Sequence, residues 1–342
     1  MVRFRLLKEE NIPWSQLDAF PDRVVFQTRE WLHFLAETQK GKITVAEIYR
    51  DGERVGYFSG LLIKKLGLSM LGSSFPGWTT PYIGFNLIPG CSRLELLPHL
   101  SRWIFDELGC LHWEVSDWGF RQESGLIEGI TATAYESFAS DLSKSEEQIL
   151  AGMDKDRRRC IRRAAEYGVC IQHATDMEFA DEYYEQLKEV FAKQGKVPTY
   201  GVERVRSLMR HLLPTGRLLL LRAFNPEGQC IATGLYPGMN KTAHFWGNAS
   251  WRQGLRYHPN EAMHWYAMRY WKNQGAEVFD WGGGGEYKAK YGAPPISLPW
   301  FYKSKYRVLS LARERALALF YRSQRLIGRL KGVGGPAGAG GA

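Results

Sequence analysis

The sequence lacks any run of 18 apolar residues, and its first ten residues mix charged and apolar side chains instead of forming a leader. No membrane-spanning helix and no secretory signal are expected from it, which predicts a cytoplasmic protein. Cysteine is sparse. The five, Cys91, Cys110, Cys160, Cys170 and Cys230, lie far apart with no C-x-x-C pair, which argues against a disulfide framework or a zinc site and for reduced thiols. H-E-x-x-H, G-x-S-x-G and Walker motifs are also missing, which argues against zinc proteases, α/β hydrolases and P-loop enzymes. Neither a metal nor a resident cofactor is expected.

What is present suits a soluble globular chain. Its 342 residues are 44% hydrophobic and 24% charged, enough for two domains with separate cores. The net charge of +9 is unevenly placed, since residues 304–331 hold eight basic side chains and one acid, Glu314. A second cluster, Lys155, Arg157, Arg158, Arg159, Arg162 and Arg163, is partly offset by Asp154, Asp156 and Glu166.

Periodicity and turn residues predict a strand over 2–7, a helix capped by Thr28, and a hairpin of 43–49 and 54–63 closed by Asp51-Gly52. Strands at 66–71 and 82–87 follow. Ser92 and Glu95 have capping-box spacing for a helix ending at Gly109, and a strand over 111–115 leads into Asp117-Trp118-Gly119. After a strand over 131–138, a second box at Ser143 and Glu146 opens one helical region through Tyr167, stopped by Gly168. Helices follow, one capped by Asp176 and one over 201–213. The first plan then returns: a hairpin of 217–224 and 230–236, a strand over 241–249, a helix begun by Pro259 and stopped by Gly275, and a strand over 277–281 ending in Asp280-Trp281-Gly282. The reading is therefore an α/β (α+β) protein of two duplicated domains, 1–135 and 136–303, each a mixed central sheet flanked by helices.

The stretch 279–292 concentrates the chemistry. An apolar strand end runs into Gly282 to Gly285, and Lys288 and Lys290 follow. Glycine lets backbone approach a ligand closely, and adjacent cations suit an anionic or developing-anion substrate. A flexible turn with solvated lysines is the plain alternative. The first copy has Phe120-Arg121 where the second has glycines, so only the second is expected to admit substrate.

Two segments resemble a known family. Arg158-Arg159-Cys160-Ile161-Arg162-Arg163-Ala164, followed by Gly168-Val169, is similar to the R-x-x-I-R-x-A-x-x-x-G-V helix of the Fem-type peptidoglycan bridge-forming transferases, relatives within the GNAT superfamily. Phe279-Asp280-Trp281-Gly282-Gly283, with Tyr287-Lys288-Ala289-Lys290-Tyr291-Gly292, is similar to their DFGG strand end and FK-x-x-FG segment. The resemblance implies tandem GNAT-like domains and transfer of an acyl or aminoacyl group to an amine or hydroxyl of a cell-envelope or polysaccharide precursor. It also implies aminoacyl-tRNA or acyl-CoA as donor substrate. The stretch from Arg252 to Pro259 does not fit the spacing of an acetyl-CoA pyrophosphate loop, which leaves the donor open.

The expected site follows from these matches. Lys288 would neutralise donor phosphate or the oxyanion, Asp280 would orient it or neighbouring backbone, and Tyr236 would donate a proton. Arg158, Arg159 and Arg162 would grip a pyrophosphate, with a solvated helix face as the alternative. Tyr200, Trp246, Gly283, Gly284 and Tyr287 complete the expected substrate-binding set. His244 and His258 are candidate general bases, with a structural role as the alternative. Residues 304–331 read as a basic amphipathic helix suited to an anionic membrane surface, to tRNA, or to packing on its own domain. Residues 332–342 read as a disordered Gly/Ala tail, and a peripheral place at the inner membrane face is expected. Competing readings are an acyl-CoA-dependent N-acetyltransferase acting on a small molecule and a non-catalytic membrane-associated binding module for polysaccharide assembly.

Overall fold

Asp51 and Gly52 both take positive φ, 54° and 91°, and the tight turn they make sets the register of the first hairpin. Residues 1–65, 67–315 and 319 are described in the computed structural model. In the first half, β1 (Val2–Leu6), β2 (Lys42–Arg50), β3 (Glu53–Lys65) and β4 (Leu68–Ser73) run antiparallel, with β5 (Gly84–Leu87) also on β3. Beside them lie α1 (Trp14–Asp18) and α2 (Arg29–Gln39), whose Trp31 amide is capped by the Thr28 hydroxyl as expected. The helix α3 (Arg93–Arg102) carries the chain to β6 (His112–Ser116), which is parallel to β4.

Next comes β7 (Thr131–Asp141), then α4 (Glu146–Gly152), α5 (Lys155–Glu166), β8 (Cys170–His173), α6 (Phe179–Lys193) and α7 (Val202–Leu212). The second half repeats the first: the hairpin β9 (Leu218–Phe224) and β10 (Cys230–Met239), then β11 (Thr242–His244) and β12 (Gly247–Ser250), α8 (Pro259–Asn273), and β13 (Val278–Asp280) parallel to β11. A final strand, β14 (Pro295–Ser304), completes a mixed sheet ordered β1-β2-β3-β4-β6-β14-β7-β13-β11-β10-β9-β8. The sheet runs unbroken across the expected division at 135/136, which falls inside β7.

Three expectations change. The single helical region through Tyr167 is two helices, because Met153 leaves helical φ/ψ and Asp154 starts a new turn. Its capping box is Ser145 with Gln148, two residues later than Ser143 with Glu146. The strand expected over 241–249 is broken at Phe245 and Trp246, and that break shapes the site. Of the helix expected over 304–331, residues 307–315 and 319 are helical. Its remaining residues, 316–318 and 320–331, lie outside the described residues, as do the tail 332–342 and Leu66.

The halves share a core. Trp31, Phe34 and Leu35 of α2 pack in one apolar cluster with Val205, Leu208 and Leu212 of α7. A second cluster under α8 holds Met263, Met268, Phe279, Trp281 and Tyr236. The first cluster, drawn from both halves, fixes how they face each other.

Candidate active site

The ladder between β11 and β13 pairs Thr242 with Val278, Ala243 with Phe279 and His244 with Asp280. It ends there. The Phe245 amide makes one more bond, to the Asp280 carbonyl at 2.8 Å, and the Trp246 amide turns to the Leu235 carbonyl at 3.1 Å, so the chain continues as β12 on β10 alone. The gap opens into a cleft of about 610 Å³ whose walls include Phe26, Thr79, Tyr135, Trp246, Trp281 and Lys288. Gly282 and Gly283, at φ of 58° and 53°, turn the chain away from the strand in two successive left-handed steps that a side chain would disfavour.

Asp280 is fully buried and fully used. Its Oδ1 accepts from the Ser137 hydroxyl and the Gly282 amide, both at 2.9 Å. Its Oδ2 accepts from the Tyr82 hydroxyl at 2.8 Å and lies 3.3 Å from His244 Nδ1. Burial pushes the carboxyl up, but His244, the Gly282 amide and the Tyr82 hydroxyl outweigh it and hold Asp280 below its ordinary value.

These bonds fix the histidine tautomer. The one Tyr82 hydroxyl proton goes to Asp280, and a carboxylate can only accept, so Nδ1, also 3.2 Å from the Tyr82 oxygen, carries the ring proton. With Nδ1 so engaged, Nε2 of His244 is left over. That atom is buried and has no hydrogen-bond partner, while His244 lines the cleft with Phe26 against its ring at 4.4 Å. A histidine oriented by a carboxylate, with its other nitrogen free, is the arrangement of a general base.

Lys288 lines the same cleft and is only 5% exposed. Its ammonium donates to the carbonyls of Trp281 at 2.9 Å, Gly283 at 3.1 Å and Gly282, so its protons hold the glycine turn. Burial lowers it to about 8, partly offset by the Asp280 charge. Between pH 8 and the ordinary lysine value the unfolded chain binds the extra proton, so folding gains stability as pH rises there. Replacing Lys288→Met removes that gain, on the order of 2 kcal/mol; urea midpoints of both proteins across pH 8 to about 10.4 check it, and parallel curves would contradict it.

Of the other expected residues, Trp246 and Gly283 line the cleft, and Trp246 Nε1 donates to the Thr79 carbonyl at 2.9 Å. Tyr200 stands behind Trp246, with ring centres 5.8 Å apart, and its hydroxyl meets that of Tyr183. Tyr287 is 48% exposed beside the glycine turn, and Gly284 is open on the same turn. Tyr236 is not at the cleft: it is buried in the second-half core with its hydroxyl 3.0 Å from His264 Nδ1. Nor are the arginines, which occupy the solvated outer side of α5. Arg158 donates to the Ala151 carbonyl, while Arg159 and Arg162 pair with Asp156 and Glu166 at helical spacing. Tyr82, Ser137 and Phe26 were not expected at the site, because only the fold brings them to Asp280.

In the first half the matching carboxylate is engaged by a cation, beside a pocket of about 600 Å³ lined by Asp22, Arg93 and Glu123. Asp117 repeats the Asp280 cap on the Gly119 amide at 2.6 Å, but Arg93 lies against it, also at 2.6 Å. The Glu123 carboxylate takes the Ser92 hydroxyl and the Arg93 and Leu94 amides, which occupies the start of α3. Among the described residues, one trio, Cys160, His258 and Glu261, has metal-ligand proximity, but the Glu261 carboxylate is already held by Arg157.

Residues 152–291 match the family model of the acetyltransferase (GNAT) domain. Among solved structures, FemX is similar with a TM-score of 0.70 and 14% identity, over 90% of this chain and 99% of that one. A conserved protein of unknown function from Bacteroides thetaiotaomicron VPI-5482 is similar at 0.52 and 12% identity, over 89% and 100%. The C-terminal domain of a putative lysylphosphatidylglycerol synthetase from Agrobacterium fabrum is similar at 0.51 and 10% identity, over 84% and 89%. No curated protein matches the sequence.

Proposed function

From the premise that this chain has the tandem GNAT acyltransferase fold, we propose that it transfers an acyl or aminoacyl group to an amine or hydroxyl of a cell-envelope or polysaccharide precursor. The observation that carries this reading is the parting of β11 and β13 at His244 and Asp280, which opens a cleft beside an oriented imidazole with a free nitrogen. Fold likeness to FemX and to a domain named for a lysyl-lipid product supports an envelope acceptor.

The chemistry needs no covalent enzyme intermediate. The acceptor's nitrogen or oxygen attacks the donor carbonyl, its proton passes to His244 Nε2, and collapse of the tetrahedral adduct breaks the carbonyl's bond to the thiol or ribose oxygen, which leaves with that proton. Asp280 stabilises the imidazolium between the two transfers. Lys288 contributes positive charge behind the glycine turn, where the oxyanion or a donor phosphate would lie. Donor and acceptor meet on the cytoplasmic side, at the inner membrane face where such precursors are assembled.

The donor is acyl-CoA or aminoacyl-tRNA, and thermal shifts with each separate them. The true donor raises the melting temperature by mass action, whereas a protein stabilised by neither would overturn the reading. With that donor, His244→Gln lowers turnover by about a hundredfold or more at neutral pH. An unchanged turnover would exclude His244 as the base.

A further inference from the structure

Three of the twelve large apolar residues most exposed in the described structure, Tyr306, Val308 and Leu311, fall within six positions at the start of the last helix, at 55%, 67% and 53% exposure. At 3.6 residues per turn, positions 308, 311 and 315 follow one side of the helix over 307–315. The exposed cations Lys305 and Arg307 precede this side, exposed Arg315 continues it one turn on, and Glu314 is the acid nearby. The opposite side is anchored. Arg313 donates through Nε and Nη2 to buried Glu114 at 2.6 and 2.9 Å, lies 4.0 Å over the Tyr302 ring, and reaches the wall of the cleft.

An outward apolar stripe with cations before and after it, on a helix whose inner side is fixed, has a defined complement. We propose that the outer face of residues 305–315 docks on an anionic phospholipid surface, with Val308 and Leu311 entering the headgroup boundary and Lys305, Arg307 and Arg315 meeting lipid phosphates. Nucleic acid would satisfy the cations but leave the apolar side chains in water, whereas a bilayer takes both. The Arg313–Glu114 pair sets which side of the helix is offered, so the contact forms beside the cleft. The inference deepens the proposed function, on which it rests for the purpose of the contact: a lipid-linked acceptor would be met where it is anchored.

Vesicle binding tests it without turnover, so its failure is separable from failure of the transferase reading. The full chain should sediment with vesicles of phosphatidylglycerol in phosphatidylcholine, in a salt-sensitive manner, and not with phosphatidylcholine alone. The double variant Val308→Glu, Leu311→Glu should lose about tenfold or more of that binding with unchanged circular dichroism. The single variant Arg307→Glu should lose a smaller part. Equal binding of wild type and double variant would overturn the proposal, as would binding of wild type to tRNA in place of vesicles with the variant defective only in tRNA binding.

Discussion

Asp280→Asn should lower acyl transfer by at least about a hundredfold and cost roughly 3 to 5 kcal/mol of stability. Its four donors, from Ser137, Gly282, Tyr82 and His244, meet a group with four acceptor positions. An asparagine side chain turns its amide donors toward two of them, so one side of the network becomes donor facing donor. Nothing then holds the His244 proton on Nδ1, and the free Nε2 lone pair is lost to tautomer exchange. The stability loss is also pH-dependent. Because the folded carboxyl is held below its ordinary value, its contribution is complete above the unfolded pKa and disappears as pH falls through the folded one. Wild type should therefore lose its advantage over the variant on acidification below about pH 4, and urea midpoints at several pH values read this directly. A variant that keeps its rate would remove Asp280 from the chemistry.

Asp117→Ala is the matching experiment on the first copy, and it separates fold from function. Asp117 accepts from the Phe85 and Gly119 amides and from Arg93. It also packs so closely on Gly84, at φ of 76°, that a side chain there would lie 2.1 Å from the carboxylate. Removing the carboxylate leaves two buried amides unpaired and Arg93 with Asp22 as its remaining carboxylate. The expected loss is about 3 to 5 kcal/mol, while turnover per folded molecule stays within about threefold. Chemical unfolding and rates normalised to the folded fraction measure the two effects. A rate loss as deep as that of Asp280→Asn would mean that both copies take part in catalysis.

Much of this was legible along the chain because local rules decide it. Asp51-Gly52, Thr28, Ser92 and Pro259 announce their turns and caps within a few residues, and the twin Asp-Trp-Gly endings mark the duplication. The site was legible in part. Asp280, Lys288 and Gly283 stood in a recognisable stretch, but Tyr82 is 198 positions from Asp280 and nothing local marks it. The arginines of α5 misled because a charge run reads the same whether it faces ligand or water; their helical-spacing acids, Asp156 and Glu166, were the signal for water. Tyr236 misled for a related reason, since a polar tip satisfied by a buried histidine cannot be told from one offered to substrate.

β14 was missed because Pro295 and Pro299 argue against an interior strand. Both prolines lie opposite β7 at Phe138 and Ala134, while pairing with β6 begins only at Trp300, so the missing amides fall where one neighbour suffices. That strand also has a consequence for the order in which the protein can be made. β6 belongs to the first half, yet one of its two neighbours is supplied by residues 300–304. During synthesis the first half therefore emerges from the ribosome with an open strand edge and keeps it until some 180 further residues have been added, an interval in which an unpaired edge invites pairing with other chains. The duplicated halves look independent in sequence, but the nascent chain cannot finish one before the other.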